Sequence, residues 1–243
     1  MVSECKKSSV MSVFDKQKMK PLKDPVPMRL KFRKVGDLQY ISHLDLQRVM
    51  SRVIVRSGIP AWYTQGFNPH AKMTFALPLS VGTQSTCEFI DIKIDREIAP
   101  DELLARLNAQ VTEDMKFASA YVPKTKLSEI AWVSYEIDIC TDTSDASLAD
   151  RVTSLLTTRP LIMKKRSKSG EREVDILDYF KSVELEMGER LKIKVVLRAG
   201  EGSLNPEMIV TALKENLGLL ASAEESYTVM RTGVYFEDGR EFE

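Results

Sequence analysis

Arg29-Leu30-Lys31-Phe32-Arg33 alternates a cation with a large apolar side chain at every step. Successive side chains of a strand point to opposite faces. The run therefore reads as a β-strand with Leu30 and Phe32 turned to a core and Arg29, Lys31 and Arg33 on the other face. Structure is expected to begin at Met28. Residues 1–27 carry scattered lysine, serine and proline without a period and read as a disordered tail.

Working outward, Ser42 is placed to cap a helix, with Asp45 three residues on. Leu44, Val49, Met50 and Val53 form its expected buried stripe, Arg48, Arg52 and Arg56 face outward, and Gly58 ends it. A second strand is expected over Ala61–Thr64 and a third over Cys87–Ile94, with Ile90, Ile92 and Ile94 inward. Pro100-Asp-Glu opens a second helix carrying Leu103, Leu104, Leu107 and Val111. Lys116–Val122 closes the set, with Ala118, Ala120 and Val122 inward. The order is βαββαβ, the ferredoxin-like arrangement.

The second half repeats that order in pattern. Val133, Tyr135, Ile137 and Ile139 mark a strand, and Ser144-Asp145 opens a helix with Leu148, Val152, Leu155 and Leu156. Leu161–Ile176 reads as a hairpin about Lys168-Ser169-Gly170, and Val183–Leu197 as two strands broken near Gly188. Asn205 caps a helix with Pro206 at its first position and Gly218 beyond its end, and Tyr227–Phe236 is the last strand. The expected fold class is α+β: two tandem ferredoxin-like halves with antiparallel sheets, over 28–124 and 130–237. The extra hairpin elaborates the second.

Composition narrows the function. Among 243 residues, 35 Lys and Arg balance 35 Asp and Glu, which excludes a globally basic nucleic-acid binder but leaves local patches. Cys5, Cys87 and Cys140 are too few and too scattered for a disulfide framework and suit a reduced, cytoplasmic protein. The N-terminus lacks the apolar stretch of a signal peptide, and no apolar run reaches membrane-spanning length, so no membrane partner is expected. Cysteine and histidine spacing fits neither zinc nor an iron–sulfur cluster, so this chain is not itself a radical SAM enzyme. P-loop, dinucleotide and GxSxG fingerprints are absent from the sequence as well. No metal and no cofactor are expected.

Three features carry candidate chemistry. The first is the sheet face bearing Arg29, Lys31 and Arg33, joined by Phe89, Asp91, Lys93, Phe117 and Tyr121. Cations neutralise phosphates and aromatic rings stack on unpaired bases, so this mixture suits single-stranded RNA. Burial of that face beneath the second half is the competing reading. The second feature is Gln65–Gln84, with two glycines, two prolines, two aromatics and no acid. It is too broken for a core strand and too apolar for a linker. Its Gly66, Phe67, Asn68, Pro69, His70 and Lys72 are candidate binding residues. The third is His43 in the first helical turn, where the dipole disfavours imidazolium and leaves a neutral base. Such a base takes a proton from an RNA 2′-hydroxyl, with Tyr40, His70 or Lys72 stabilising charge on the phosphate. A structural or substrate-contact role for His43 is the alternative. Lys164, Lys165, Arg166 and Lys168 add a basic hairpin tip, opposed by Glu171 and Glu173.

Tyr40-Ile-Ser-His-Leu-Asp-Leu46, Gly66-Phe-Asn-Pro-His70, Phe75-Ala-Leu-Pro-Leu-Ser-Val-Gly82, Glu88 and Asp91 resemble the bacterial radical-SAM-linked protein family. Glu173-Val-Asp-Ile176 and Arg231-Thr-Gly233 are similar to its later motifs. Ala71 and Lys72 stand where that family commonly has proline and arginine, and lysine lacks the bidentate fork of arginine. The resemblance covers roughly Met28 to Phe236. It implies a domain of unknown function beside or fused to a radical SAM protein, encoded near an RNase E/G-type ribonuclease and ribosomal protein genes. A radical SAM protein is the implied partner, with tRNA or rRNA as a further one. The element order also resembles the CRISPR repeat-processing endoribonucleases. Three functions remain open: a non-catalytic RNA-binding or substrate-presenting partner of a radical SAM enzyme, a metal-independent endoribonuclease using His43, and a protein-interaction module docking through Gly66–Val81.

Overall fold

The computed structural model describes residues 20–141, 146–167, 170–200 and 202–243. Within them lie ten strands and four α-helices, a mixed α+β fold whose sheets are mostly antiparallel. No helix of the described residues is long and apolar enough to cross a membrane. The chain forms two compact units, Met1–Pro78 with Glu88–Lys124, and Leu79–Cys87 with Thr125–Glu243.

The first unit runs β1 (Pro21–Lys34), α1 (His43–Ser57), β2 (Met73–Phe75), β3 (Thr83–Arg96, from Glu88 on), α2 (Pro100–Asn108) and β4 (Phe117–Tyr121). Its strands lie in the order β4-β1-β3-β2. Met28, Leu30 and Phe32 of β1 are buried, together with Ile90, Ile92 and Ile94 of β3. Leu46, Met50, Val53 and Ile54 of α1 and Leu103 and Leu107 of α2 complete this core.

Several expectations change here. β1 starts at Pro21 rather than Met28, because Leu22 and Val26 pack against the core and the Lys20 carbonyl accepts from Glu97 N at 3.0 Å. Residues 1–19 of the expected tail lie outside the described residues. Ser42 does cap α1, its hydroxyl accepting from Asp45 N at 3.1 Å, and Gly58 ends the helix at φ +64°. From that cap the positions sharing a face are 46, 50, 53, 54 and 57, so Leu46 is buried and Leu44 is exposed. Ala61–Thr64 makes only the bridges Ala61↔Ile94 and Tyr63↔Ala71. The second strand, β2, lies inside the glycine- and proline-rich segment instead.

In β4 a bulge opposite Lys31 and Phe32 inserts one residue. Phe117 then faces Phe32 and turns into the core, while Val122 is exposed. Ala118 is exposed as well, against the expected pattern. Phe89 is buried rather than displayed.

The second unit runs β5 (Trp132–Cys140), α3 (Ala146–Thr157), the hairpin β6 (Ile162–Ser167) and β7 (Gly170–Asp175), β8 (Phe180–Met187), β9 (Leu191–Arg198), α4 (Glu207–Leu217) and β10 (Ser226–Tyr235). Its main sheet has the order β10-β5-β9-β8. Val133, Tyr135, Ile137 and Ile139 are buried as their alternation requires, opposite Leu197, Val195, Ile193 and Leu191. Leu148, Val152 and Leu156 of α3 and Ile209 and Leu213 of α4 are buried with them. The expected Ser144-Asp145 cap and the turn at 168–169 lie outside the described residues. Pro206, not Asn205, is the N-cap of α4. The Asn205 carboxamide oxygen still accepts from Glu207 N at 3.2 Å. Thr83, Gln84 and Ser85 pair in parallel with Val229, Met230 and Arg231, so Leu79–Cys87 counts with this unit.

Candidate functional site

The segment expected to carry binding folds into a small hairpin of the first unit. Trp62 N donates to Lys93 O at 2.8 Å, Lys72 N to Trp62 O at 3.1 Å and Thr64 N to His70 O at 2.9 Å. The Thr64 hydroxyl accepts from His70 N at 3.2 Å and lies 3.2 Å from His70 Nδ1, which is also 3.3 Å from Asn68 O. These bonds close the stem and leave Gln65–Pro69 as its tip, with Gly66 at φ +138°, a conformation that glycine adopts readily. Ala71 turns into the core, whereas Lys72 points to solvent. Phe67 is wholly exposed, at 108% of its reference surface. Burying such a ring stabilises an assembly by about 1.5–3 kcal/mol, none of which is used within the described chain.

His43 is the first residue of α1. Its Nε2 lies 3.0 Å from Gln47 Nε2, and its ring meets Phe75 of β2 edge-on at 5.1 Å between centroids. Phe75 in turn lies 6.5 Å from Phe32 in the core. Tyr40 and Leu44, at 67% and 54% exposure, present apolar surface at the start of the same helix. Asp45 serves the cap: the Ser42 hydroxyl, then Arg48, hold its carboxyl below the usual range. Among the described residues no hydrogen bond, ion pair or ring contact joins His43 to Tyr40, His70 or Lys72. The acid–base constellation is thus not assembled. What the sequence reading missed is Phe75 as the ring against His43 and Leu44 as a surface residue. The cap at Ser42, which sets the phase of the helix, was the signal for Leu44.

The cationic face of β1 is largely engaged. Arg29 is fully buried, and its Nε and Nη2 grip Asp91 Oδ1 and Oδ2 at 2.8 and 3.0 Å. Arg33 donates to the Glu113 carbonyl and pairs with its carboxylate at 3.0 Å. Lys31 lies over the Phe89 ring at 5.7 Å. A bidentate pair such as Arg29–Asp91 satisfies both partners internally, which takes Arg29 out of any phosphate-binding surface. In the basic hairpin, Lys165 is buried, donating to Gly202 O with its ammonium 4.5 Å from the Tyr179 ring centre, whereas Lys164 is exposed and Lys168 lies outside the described residues.

A family model described as "Uncharacterized protein conserved in bacteria (DUF2344)" matches residues 28–206. No curated protein matches the chain. Among solved structures, a chain in a crystal structure of a Cbf5-Nop10-Gar1 complex is similar at 10% identity and a TM-score of 0.45. That match covers 90% of this chain but 56% of the other, so the chain spans little more than half the length of that neighbour. An unknown protein from Galdieria sulphuraria is similar at 9% identity, covering 86% of this chain and 99% of that one, with a TM-score of 0.26.

Proposed function

The chain belongs to the family of uncharacterized proteins conserved in bacteria (DUF2344), and we propose that it is a non-catalytic, substrate-presenting partner that docks a second protein through its Phe67 tip. The observation carrying this reading is a fully exposed phenylalanine on a turn whose two stems are hydrogen-bonded shut. A pre-ordered aromatic anchor loses little conformational entropy when it enters a partner's pocket, which is how few residues dominate an interface. The partner implied by the sequence resemblance is a radical SAM protein. Both units are read as ferredoxin-like halves, the second elaborated by β6–β7. Supporting that reading, each strings strand, helix, strand, strand, helix, strand along the chain and orders its strands fourth, first, third, second.

The direct test places a photocrosslinking phenylalanine analogue at position 67 and mixes the purified chain with the radical SAM protein of the same bacterium. A covalent adduct is expected, and Phe67→Ala is expected to weaken the pair at least about tenfold. Absence of an adduct together with unchanged affinity removes the proposal.

RNA is the second reading, favoured by one observation. Phe67, His70 and Lys72 are all exposed in a stretch, 65–84, that carries no acid. Stacking on Phe67 with a phosphate at Lys72 is the chemistry of sequence-tolerant single-strand binding. Salt-dependent tRNA binding lost in both Phe67→Ala and Lys72→Ala would shift the assignment to RNA.

A further inference from the structure

A second site lies in the other unit, built by residues that share no local motif. A cleft of about 660 Å3 is walled by Trp132 at the start of β5, Arg172 and Asp175 on β7, Asp178 and Tyr179 beyond it, and Arg198 at the end of β9. Clefts of this size take metabolite-sized molecules.

Both aspartates of the cleft are engaged. Asp175 accepts from the backbone N–H of Leu161 and of Leu177, each at 3.1 Å, and lies 3.8 Å from Arg159. Arg159 also holds Asp178. Glu173 also lines the cleft; it stands across the hairpin from Lys164 but makes no ion pair or hydrogen bond among the described residues.

Two donors are not engaged. The Trp132 indole Nε1 is buried with no hydrogen-bond partner among the described residues. The exposed Arg172 guanidinium has no ion pair or hydrogen bond among them either. An indole N–H only donates and a guanidinium only donates, so what they lack is an acceptor. Two further cations lie over the Trp132 ring, Lys181 at 5.0 Å and Arg198 at 4.8 Å, and of these Arg198 also bonds Glu237 at 3.1 Å. Trp132 and Arg172 thus leave free donors in the cleft, beside one carboxylate unpaired among the described residues, that of Glu173.

We infer that this cleft binds a small molecule through an anionic oxygen group, a phosphate or a carboxylate, held by Trp132 Nε1 and Arg172. The site uses no residue of the Phe67 tip, so Phe67→Ala leaves anion binding unchanged and the two proposals fail separately. The test is calorimetric titration of the full chain with inorganic phosphate, pyrophosphate and citrate as probes. At least one is expected to bind. Arg172→Ala is expected to weaken it about tenfold, and Arg172→Lys less, because a charge remains but the fork is lost. Trp132→Phe keeps the ring, removes the donor and weakens binding with an unchanged far-ultraviolet spectrum. A preference for pyrophosphate over citrate assigns a phosphate ligand, and the reverse a carboxylate. Absence of heat with every probe up to roughly 10 mM overturns the inference. So does undiminished binding by Arg172→Ala.

Discussion

The two units order their strands alike but treat charge on the sheet differently. In the second, β9 alternates strictly: Leu191, Ile193, Val195 and Leu197 are buried, while Lys192, Lys194 and Arg198 lie at the wet face. There the cations meet cross-strand acids, Lys194 with Glu186 and Lys192 with Glu136 and Asp138 at 3.8 Å. In the first unit, Glu88, Phe89 and Ile90 are buried in succession on β3, and Arg29 beside them is fully buried against Asp91. Alternation reports which side faces the core only where the other side is wet. Where both sides are buried, an arginine in the pattern marks an internal ion pair as readily as a surface.

The largest effect that tests this contrast is expected from Arg29→Ala. It leaves Asp91 without its bidentate partner in a mostly buried setting, and urea unfolding should register a loss of about 3–5 kcal/mol. Combining Arg29→Met with Asp91→Leu should recover most of that loss, since a matched apolar pair replaces a matched ionic one. If Arg29→Ala leaves the unfolding midpoint unmoved, the buried pair contributes nothing and the contrast collapses.

A smaller, pH-limited effect belongs to Tyr227 on β10. Burial first, and then its hydrogen bond to Glu207 at 2.9 Å, push its phenol up from the usual 10 to about 12. The folded state therefore holds this proton more tightly than the unfolded chain. The stability from that preference is fully present below pH 10 and is lost as pH rises through about 12. Urea midpoints measured across that window should fall less steeply in Tyr227→Phe. Some slope should persist, because burial raises Tyr63 of the first unit as well.

The smallest effect is expected from Lys194→Ala. It removes an exposed cross-strand pair that depresses the Glu186 carboxyl and steadies the Lys194 ammonium. Both partners stand in solvent, where screening and side-chain entropy cancel most of the attraction, so the urea midpoint should not move measurably. A loss comparable with that of Arg29→Ala would erase the distinction between the two sheets.

Legibility in the sequence follows the same physics. β5 and β9 were readable because water on one face keeps their period clean. α1 was readable as a helix, yet its buried stripe ran from Leu46 rather than Leu44, because two residues on a helix turn the side chain to the far side. β2 was missed: Met73-Thr-Phe75 is too short for a period and sits between turn-forming neighbours. The bulge in β4 has no glycine or proline to announce it, and it inverted the reading of Phe117. Of the candidate site, the Gly66–His70 turn was legible because its residues are contiguous. The Trp132 cleft was not, since its walls come from three stretches separated by intervening elements.

The parallel pairing of Thr83–Ser85 with Val229–Arg231 also governs how this protein can be divided. A fragment started at Thr125, where sequence alone would cut, leaves Leu79–Cys87 behind and strips β10 of its outer neighbour. The bare amides and carbonyls of that edge then invite a strand from another molecule, making self-association the foreseeable fate of the truncated piece. A peptide spanning residues 79–87, supplied in trans, is the natural plug for the gap.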